Sequence, residues 1–279
     1  HIGLNDVTMK KITFHFWSIL AAAILLVSSG CSKDGDLTDS YGLLKKIKSD
    51  GDVIEEISYN QDNLVNEVHS IFFYRRFHYS QSHKLVKEEV AVSPDIHSSS
   101  VMPGSTHEFV DPDKTGISMY HIYEYDDNGR LTVQLNYIPQ TGNDELRSKR
   151  EFEYNDKNLI SKVLLYNSDN VVTQFRTYLY DSRNNVIEED YYTYLFITSG
   201  AAPKHMAKIT YEYDSFHNPY KIFEQGGNPG IYTNANNIIK TITIHYDPSP
   251  GIPAYSESTT SYDYNLETGF PVRVTDGEE

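Results

Sequence analysis

One cysteine, Cys31, is present in 279 residues. A disulfide framework is therefore excluded, as is a thiol nucleophile anywhere after position 31. Positive charge is also scarce: 24 lysines and arginines stand against 39 acids, a formal net charge of −15. Such a surface repels phosphate backbones, and the basic stripe of a nucleic-acid binder is missing, so nucleic acid is excluded as a partner. Catalytic signatures are lacking too. The chain has no Gly-x-Ser-x-Gly, no His-Glu-x-x-His and no Gly-Lys-Ser/Thr phosphate loop, and its histidines at 69, 78, 83, 97, 107, 121, 205, 217 and 245 are scattered. Asp111-Pro112-Asp113-Lys114-Thr115-Gly116 sets two carboxylates at alternate positions, as a calcium loop does, but Pro112 and the missing downstream Glu argue against one. No metal or other cofactor is expected. The one long apolar run, residues 12–27, is broken by Thr13, His15 and Ser18. It is shorter than the roughly 20 residues a membrane-spanning helix requires.

That run has its own context. Lys10 and Lys11 follow Met9, the apolar stretch comes next, and Ser28-Ser29-Gly30-Cys31 closes it with small residues. Charge, apolar helix and small residues in that order make a secretory signal, with an uncleaved anchor as the alternative. The segment resembles the bacterial lipoprotein signal family: Ser29, Gly30 and Cys31 match its lipobox, while Ser28 stands where Leu is usual, a relaxation found in the Bacteroidota. The resemblance implies that Cys31 becomes the first mature residue and binds the membrane through acyl chains. Each buried CH₂ adds roughly 0.8 kcal/mol, so several chains hold firmly without a protein span. Ser32 to Asp36 lack the Asp directly after Cys that retains lipoproteins at an inner membrane, and their acidity resembles a surface-export signal. The implied address is an outer membrane, facing either the periplasm or the outside. The expected organisation is an upstream extension at 1–8, a signal-peptide helix at 9–30, a flexible tether at 31–40 and a β domain at 41–274. Removing 30 residues leaves 279 − 30 = 249, and losing Asp6, Lys10 and Lys11 takes the charge from −15 to −16.

A repeat fills the remainder. Alternating aromatics, then Tyr-Asp or Tyr-Asn, then a polar turn, then Leu or Val recur at Tyr125-Asp126, Tyr154-Asn155, Tyr180-Asp181 and Tyr213-Asp214. Weaker copies surround Tyr59-Asn60, Tyr79-Ser80, Tyr246-Asp247 and Tyr264-Asn265, and Asp50-Gly51 marks a degenerate turn. These residues resemble the YD-repeat, or RHS-like, family over about 120–274 and more loosely from 43. Only the Tyr125 copy has the full Gly129-Arg130-Leu131 ending, and the copies lie 29, 26 and 33 residues apart, so a closed RHS-type shell is not implied.

Each unit reads as a β-hairpin. In the Tyr125 copy, Tyr123, Tyr125, Leu131, Val133, Leu135 and Tyr137 share one parity, and Glu124, Thr132, Gln134 and Asn136 share the other. Period-two alternation on both sides of Asn128-Gly129 predicts one apolar and one wet face. Phe152 and Tyr154 with Val163 and Leu165, the set Ile242, Ile244 and Tyr246, and Tyr262 and Tyr264 with Phe270, Val272 and Val274 repeat the scheme. The fold class is accordingly all-β: an antiparallel meander of YD-type hairpins in one large curved or twisted sheet. Residues 272–279 read as a strand that stops at a turn, leaving the sheet one strand short.

Alternate connections of a meander lie at opposite ends of its sheet. All tight Tyr-Asp turns are expected at one end. The long connections at 93–116, 138–150, 199–207, 225–237 and 248–256 are expected at the other, which with the adjoining wet face is the default recognition site. Most of the 23 tyrosines fall on the repeated inward position, where rings pack as cross-strand ladders. Tyr232 and Tyr255 fall outside the pattern and are the ligand-binding candidates. Three functions follow: an envelope lipoprotein whose non-enzymatic β domain binds a glycan, peptide or partner protein; an assembly component docking through its sheet; or a hydrolase with a cryptic carboxylate pair. A contiguous aromatic patch at the long-loop end favours the first, an uncovered apolar edge the second, and two carboxyls about 5 to 9 Å apart in a cleft the third.

Overall fold

A computed structural model describes residues 43–49, 51–94, 108–194, 202–248 and 252–278. Cys31, the signal segment and the tether lie outside the described residues. Among the described residues no helix is long and apolar enough to cross a membrane. The strands are β1 Lys46–Ser49, β2 Asp52–Tyr59, β3 Val65–Ser70, β4 Phe73–Tyr79, β5 Leu85–Val92, β6 Met119–Tyr125, β7 Leu131–Ile138 and β8 Glu145–Tyr154. They continue as β9 Ile160–Asn167, β10 Val172–Tyr180, β11 Val186–Thr193, β12 Lys204–His217, β13 Asn236–His245, β14 Tyr255–Asn265 and β15 Phe270–Glu278. All fifteen form one sheet in sequence order, each antiparallel to the next, and β1 and β15 are its two free edges. The predicted all-β meander is the observed fold. The turn expected within 272–279 is not formed: residues to Glu278 extend β15, and Ser258 pairs with Glu278.

The turn that builds each hairpin is encoded locally. In the Tyr125 copy, Asp126 Oδ1 accepts the backbone N–H of Asn128 at 3.0 Å and of Arg130 at 2.8 Å. Asn60, Asn155 and Asp181 do the same two and four residues on. The residue between the two bonded positions takes positive φ, Gly129 in one copy and Asn63, His83, Asn158 and Asn184 in others. Asn and Gly tolerate that region, while a β-branched residue does not.

The repeat tyrosine has a second task. A register shift falls immediately before Tyr59, Tyr79, Tyr125, Tyr154 and Tyr180, so each pairs with the residue six positions later across a bulge. From Tyr79 to Tyr213 each repeat hydroxyl then donates to the carbonyl of that sixth residue in the preceding unit, while Tyr59 reaches the Leu44 carbonyl. Tyr79 reaches Val65, Tyr125 reaches Leu85, Tyr154 reaches Leu131, Tyr180 reaches Ile160 and Tyr213 reaches Val186, all within 2.6 to 2.9 Å. The hairpins are thereby buttoned in series, each bond contributing about 1 kcal/mol net.

The same bulge overturns the parity expected for the Tyr125 unit. Tyr125 pairs with Leu131 but Glu124 pairs with Val133, so Thr132 is an extra residue and the return strand flips. Gln134 and Asn136, expected on the wet face, are 4% and 6% exposed beside Tyr123 and His121, while Val133 and Leu135 turn to the other side. In the next unit Phe152 faces Val163 as expected. Ile242, Ile244 and Tyr246 lie on the outer face, opposite Thr243, which neighbours Ile209 on the inner one.

The connection from β12 to β13 departs from the plan in both place and purpose. It lies at the tight-turn end, because β12 replaces the Tyr213-Asp214 turn with a longer strand and an excursion over 218–235. The strands flanking the other expected long connections do end at the opposite end, although the one expected at 138–150 is shorter, because β8 begins at Glu145. Conversely, Asn167 builds an identical Asn turn there, accepting from Asp169 and Val171 with Asn170 at positive φ. The 218–235 segment opens with Asn218 capping a short 3-10 helix, Pro219–Gly226. Its Gln225 then accepts from Leu85 N–H at 2.8 Å, and Phe223 packs 6.0 Å from Phe77. In a flat sheet β5 and β12 would lie about 34 Å apart. A 3-10 helix of this length covers only about 16 Å. The sheet must therefore coil around the segment, and the core lies between them: Leu131, Phe152, Tyr178 and Val186 gather with Phe223 and Tyr232. A smaller cluster covers the outer face of β4 and β5, where Val110 packs on Tyr74 and Ala91. Asp111, the candidate calcium ligand, caps helix α1, Pro112–Thr115, by accepting from Asp113 N–H.

Candidate functional site

The inner face is not purely apolar. Arg75 donates to Glu88 at 2.5 Å, Tyr123 donates to the other oxygen of Glu88 at 2.6 Å, and Arg150 bonds Gln134, Asn228 and the Gly227 carbonyl. Burial alone would raise the Glu88 carboxyl, but Arg75 and the hydrogen bonds outweigh it and hold it below the usual range. Burial pushes His121 down, keeping it neutral beside Asn136. The adjoining hollow, walled by Phe77, Ile222 and Phe223, measures only about 10 Å³. A reactant has no room there, and the network serves to pin the 218–235 segment to the sheet.

Tyr232, a predicted ligand contact, belongs to this core. It is 6% exposed, 5.4 Å from Phe223, and its ring is taken up by packing. Its loop position misled because the loop folds inward. Tyr255, the other candidate, begins β14 and is 53% exposed, with its hydroxyl on Glu257 and Glu257 paired to Lys240 at 2.7 Å.

Tyr255 has company. On the outer face at the long-loop end, Phe175 stacks on Tyr192 at 4.6 Å, Tyr192 on His205 at 4.4 Å, and His205 meets Tyr246 at 4.4 Å with the planes tilted. Register explains the row. Phe175 pairs with Tyr192, Tyr192 with His205 across a bulge, and Ile244 with Tyr255 on the next strand. Ile244 and Tyr246 are 38% and 50% exposed. Asp190 Oδ1 lies 2.7 Å from His205 Nε2 without hydrogen-bond geometry, and Lys162 lies 5.0 Å over Phe175. Rings stacked this way cover one another's faces and present rims and hydroxyls to solvent, leaving Tyr246 and Tyr255 as the open rings. Phe175, Tyr192 and His205 were missed from sequence; alternation within β10 and β11 is the signal that could have found the first two, but only the pairing across five strands joins the row.

A hollow of about 270 Å³ occupies the inner face behind this row. Arg176, Tyr191, Ala207 and His245 line it as register partners across β10 to β13, with Ile209 and Thr243 one step deeper. Among the described residues no cluster of His, Cys, Asp and Glu is arranged to hold a metal ion.

The class of protein is thus a single-sheet antiparallel meander of tyrosine-buttoned hairpins, coiled around an inserted segment. No protein-family model matches the chain, and no curated protein matches it. Solved structures share some of its course. A protein of unknown function from Bacteroides fragilis is 16% identical over 47% of this chain and 88% of its own, with a TM-score of 0.32. A porin-like protein from Bacteroides uniformis is 10% identical over 81% of this chain and 96% of its own, at 0.35. The Photorhabdus luminescens Tc holotoxin pore is 13% identical over 84% of this chain but only 13% of its own, at 0.28.

Proposed function

We propose that this chain is a non-catalytic envelope protein, held to an outer membrane by lipid on Cys31, that binds a neutral glycan across the outer face of its sheet. The observation that carries the reading is the continuous patch of Phe175, Tyr192, His205, Ile244, Tyr246 and Tyr255 at the long-loop end. Sugar rings offer apolar C–H faces and many hydroxyls. Open tyrosine rings meet the first, and the carboxylates of Glu257 and Asp190 with the tyrosine hydroxyls meet the second. An acidic chain disfavours polyanionic glycans, so a neutral one is the expected ligand.

Screening the full chain against a glycan array tests the binding. Tyr246→Ala and Tyr255→Ala should each weaken it by about tenfold, in line with the loss of an interfacial aromatic anchor. An empty array, together with capture of an envelope protein that Tyr246→Ala abolishes, would replace the glycan by a protein partner. Metabolic labelling with an alkynyl fatty acid tests the tether, and label retained by Cys31→Ala would refute it.

A further inference from the structure

The inner hollow is chemically unlike the outer row. Arg176 sits among Tyr178, Tyr191 and Tyr211, yet 44% of its side chain is solvent-exposed, because the hollow opens onto it. Its guanidinium carries five N–H groups, and among the described residues its hydrogen-bond partner is Glu189 alone, engaged through Nη1. Glu189 is itself tied on its other oxygen by the Tyr211 hydroxyl at 3.2 Å, which fixes the carboxylate on one side of the guanidinium. Tyr191 lies under the guanidinium at 4.8 Å and orients its plane. Donors are therefore left facing a space whose walls are mostly apolar, with Met206, Ala207, Ile209, Pro248 and Ile252 around it. Asp247 is the one acid on the lining, and Lys204 pairs with it.

We infer that this hollow is a second binding site, for a carboxylate attached to a short apolar body. A carboxylate is planar and bidentate like the guanidinium edge it meets, which a hydroxyl or an amine is not. Glu189 offsets the arginine's charge, so selection comes from directed hydrogen bonds and the apolar walls rather than from long-range attraction. At about 270 Å³ the space lies just under the roughly 300–1,000 Å³ of drug-sized sites. It suits a short fatty acid or the last residue of a peptide. It also lies on the opposite face from the aromatic row, so occupancy of one does not require the other.

Isothermal titration of the full chain with octanoate, octanol and octylamine tests the inference. Octanoate should bind saturably, octanol about ten- to a hundredfold more weakly, and octylamine not at all. A leucine-terminated tripeptide with a free or an amidated C-terminus distinguishes the two sources: binding of the free form alone, tighter than octanoate, identifies a peptide end, and the reverse order a fatty acid. Arg176→Gln should abolish octanoate binding. Since that change strands Glu189, Ile252→Asp at the 45%-exposed mouth is the second variant, and it should weaken octanoate by a similar factor without altering the melting temperature. Equal affinity for octanoate and octanol, unaltered binding in Arg176→Gln, or no heat at millimolar octanoate would each overturn the assignment.

Discussion

Glu55 gives the sharpest test of how this sheet closes around its inserted segment. It lies on β2 between Ile47 and Ser70, facing inward, where burial drives its carboxyl up from 4.5 to about 7 despite the opposing pull of Arg75. Arg75 cannot do more, because Glu88 already occupies it at 2.5 Å. Tyr232, brought in by the 218–235 segment, shares this environment. A folded-state pKa above the unfolded value means that the native protein holds the proton more tightly. The stability this confers is fully present below about pH 4.5 and is lost as pH rises to about 7. At 1.36 kcal/mol per unit the shift amounts to about 3 kcal/mol, or nearer 2 where water reaches the carboxyl. Glu55→Gln keeps the shape and removes the ionisation. At pH 8 it should therefore stabilise the protein by about 2 to 3 kcal/mol, a rise in melting temperature of about 5 to 10 °C, while at pH 5 it should change stability by less than about 1 kcal/mol. Urea denaturation of both proteins from pH 5 to 8 reads the difference, and titrations common to both cancel. Parallel pH profiles for the two proteins would refute the reasoning, since they would show Glu55 to be solvated as an ordinary surface acid.

Three further perturbations address other links. Tyr154→Phe removes the button to the Leu131 carbonyl and leaves the ring, so chemical denaturation should show a loss of about 1 kcal/mol, rising if the carbonyl stays dry. Arg75→Met strands Glu88, which is 3% exposed, and should cost about 3 to 5 kcal/mol; adding Glu88→Leu should restore much of it, and thermal melts of the single and double variants decide. Gly227→Ala places a Cβ 2.6 Å from Leu131 and 2.9 Å from Phe152 at a positive φ of 64°. It should cost more than about 2 kcal/mol, and hydrogen exchange should speed up across 218–235 before it does in the hairpin turns.

The turns were legible because their chemistry is short-range. Asp126 or Asn155 bonds backbone two and four residues ahead, and that needs no other part of the chain. The strands between them followed, and so did their order, since successive hairpins pair with their neighbours. The faces were less legible. Alternation assigned Val133 and Leu135 inward, but the bulge at Tyr125 inserts Thr132 and sends Gln134 and Asn136 into the core instead. The long loops were mapped by length alone, which placed residues 225–237 at the wrong end and Tyr232 on the surface. Tyr255 is exposed at the start of β14, and Ile244, Tyr246 and His205 beside it come from positions up to fifty residues away, so no local pattern joins them.

Sequence alone specified the Asx turn with its one left-handed residue, through hydrogen bonds two and four residues ahead, and the alternating strands beside it; the tyrosine button reaches a carbonyl 14 to 40 residues back and exists only once neighbouring hairpins pair. Tertiary structure decided how the sheet curves, which face is inside and where Arg176, Glu189 and the aromatic row come together. Those outcomes depend on the 218–235 segment packing across strands from β4 to β11. Burial of Phe223 and Tyr232 in a coil of the sheet is a long-range gain of apolar contact, and no window of sequence shorter than the whole sheet contains it.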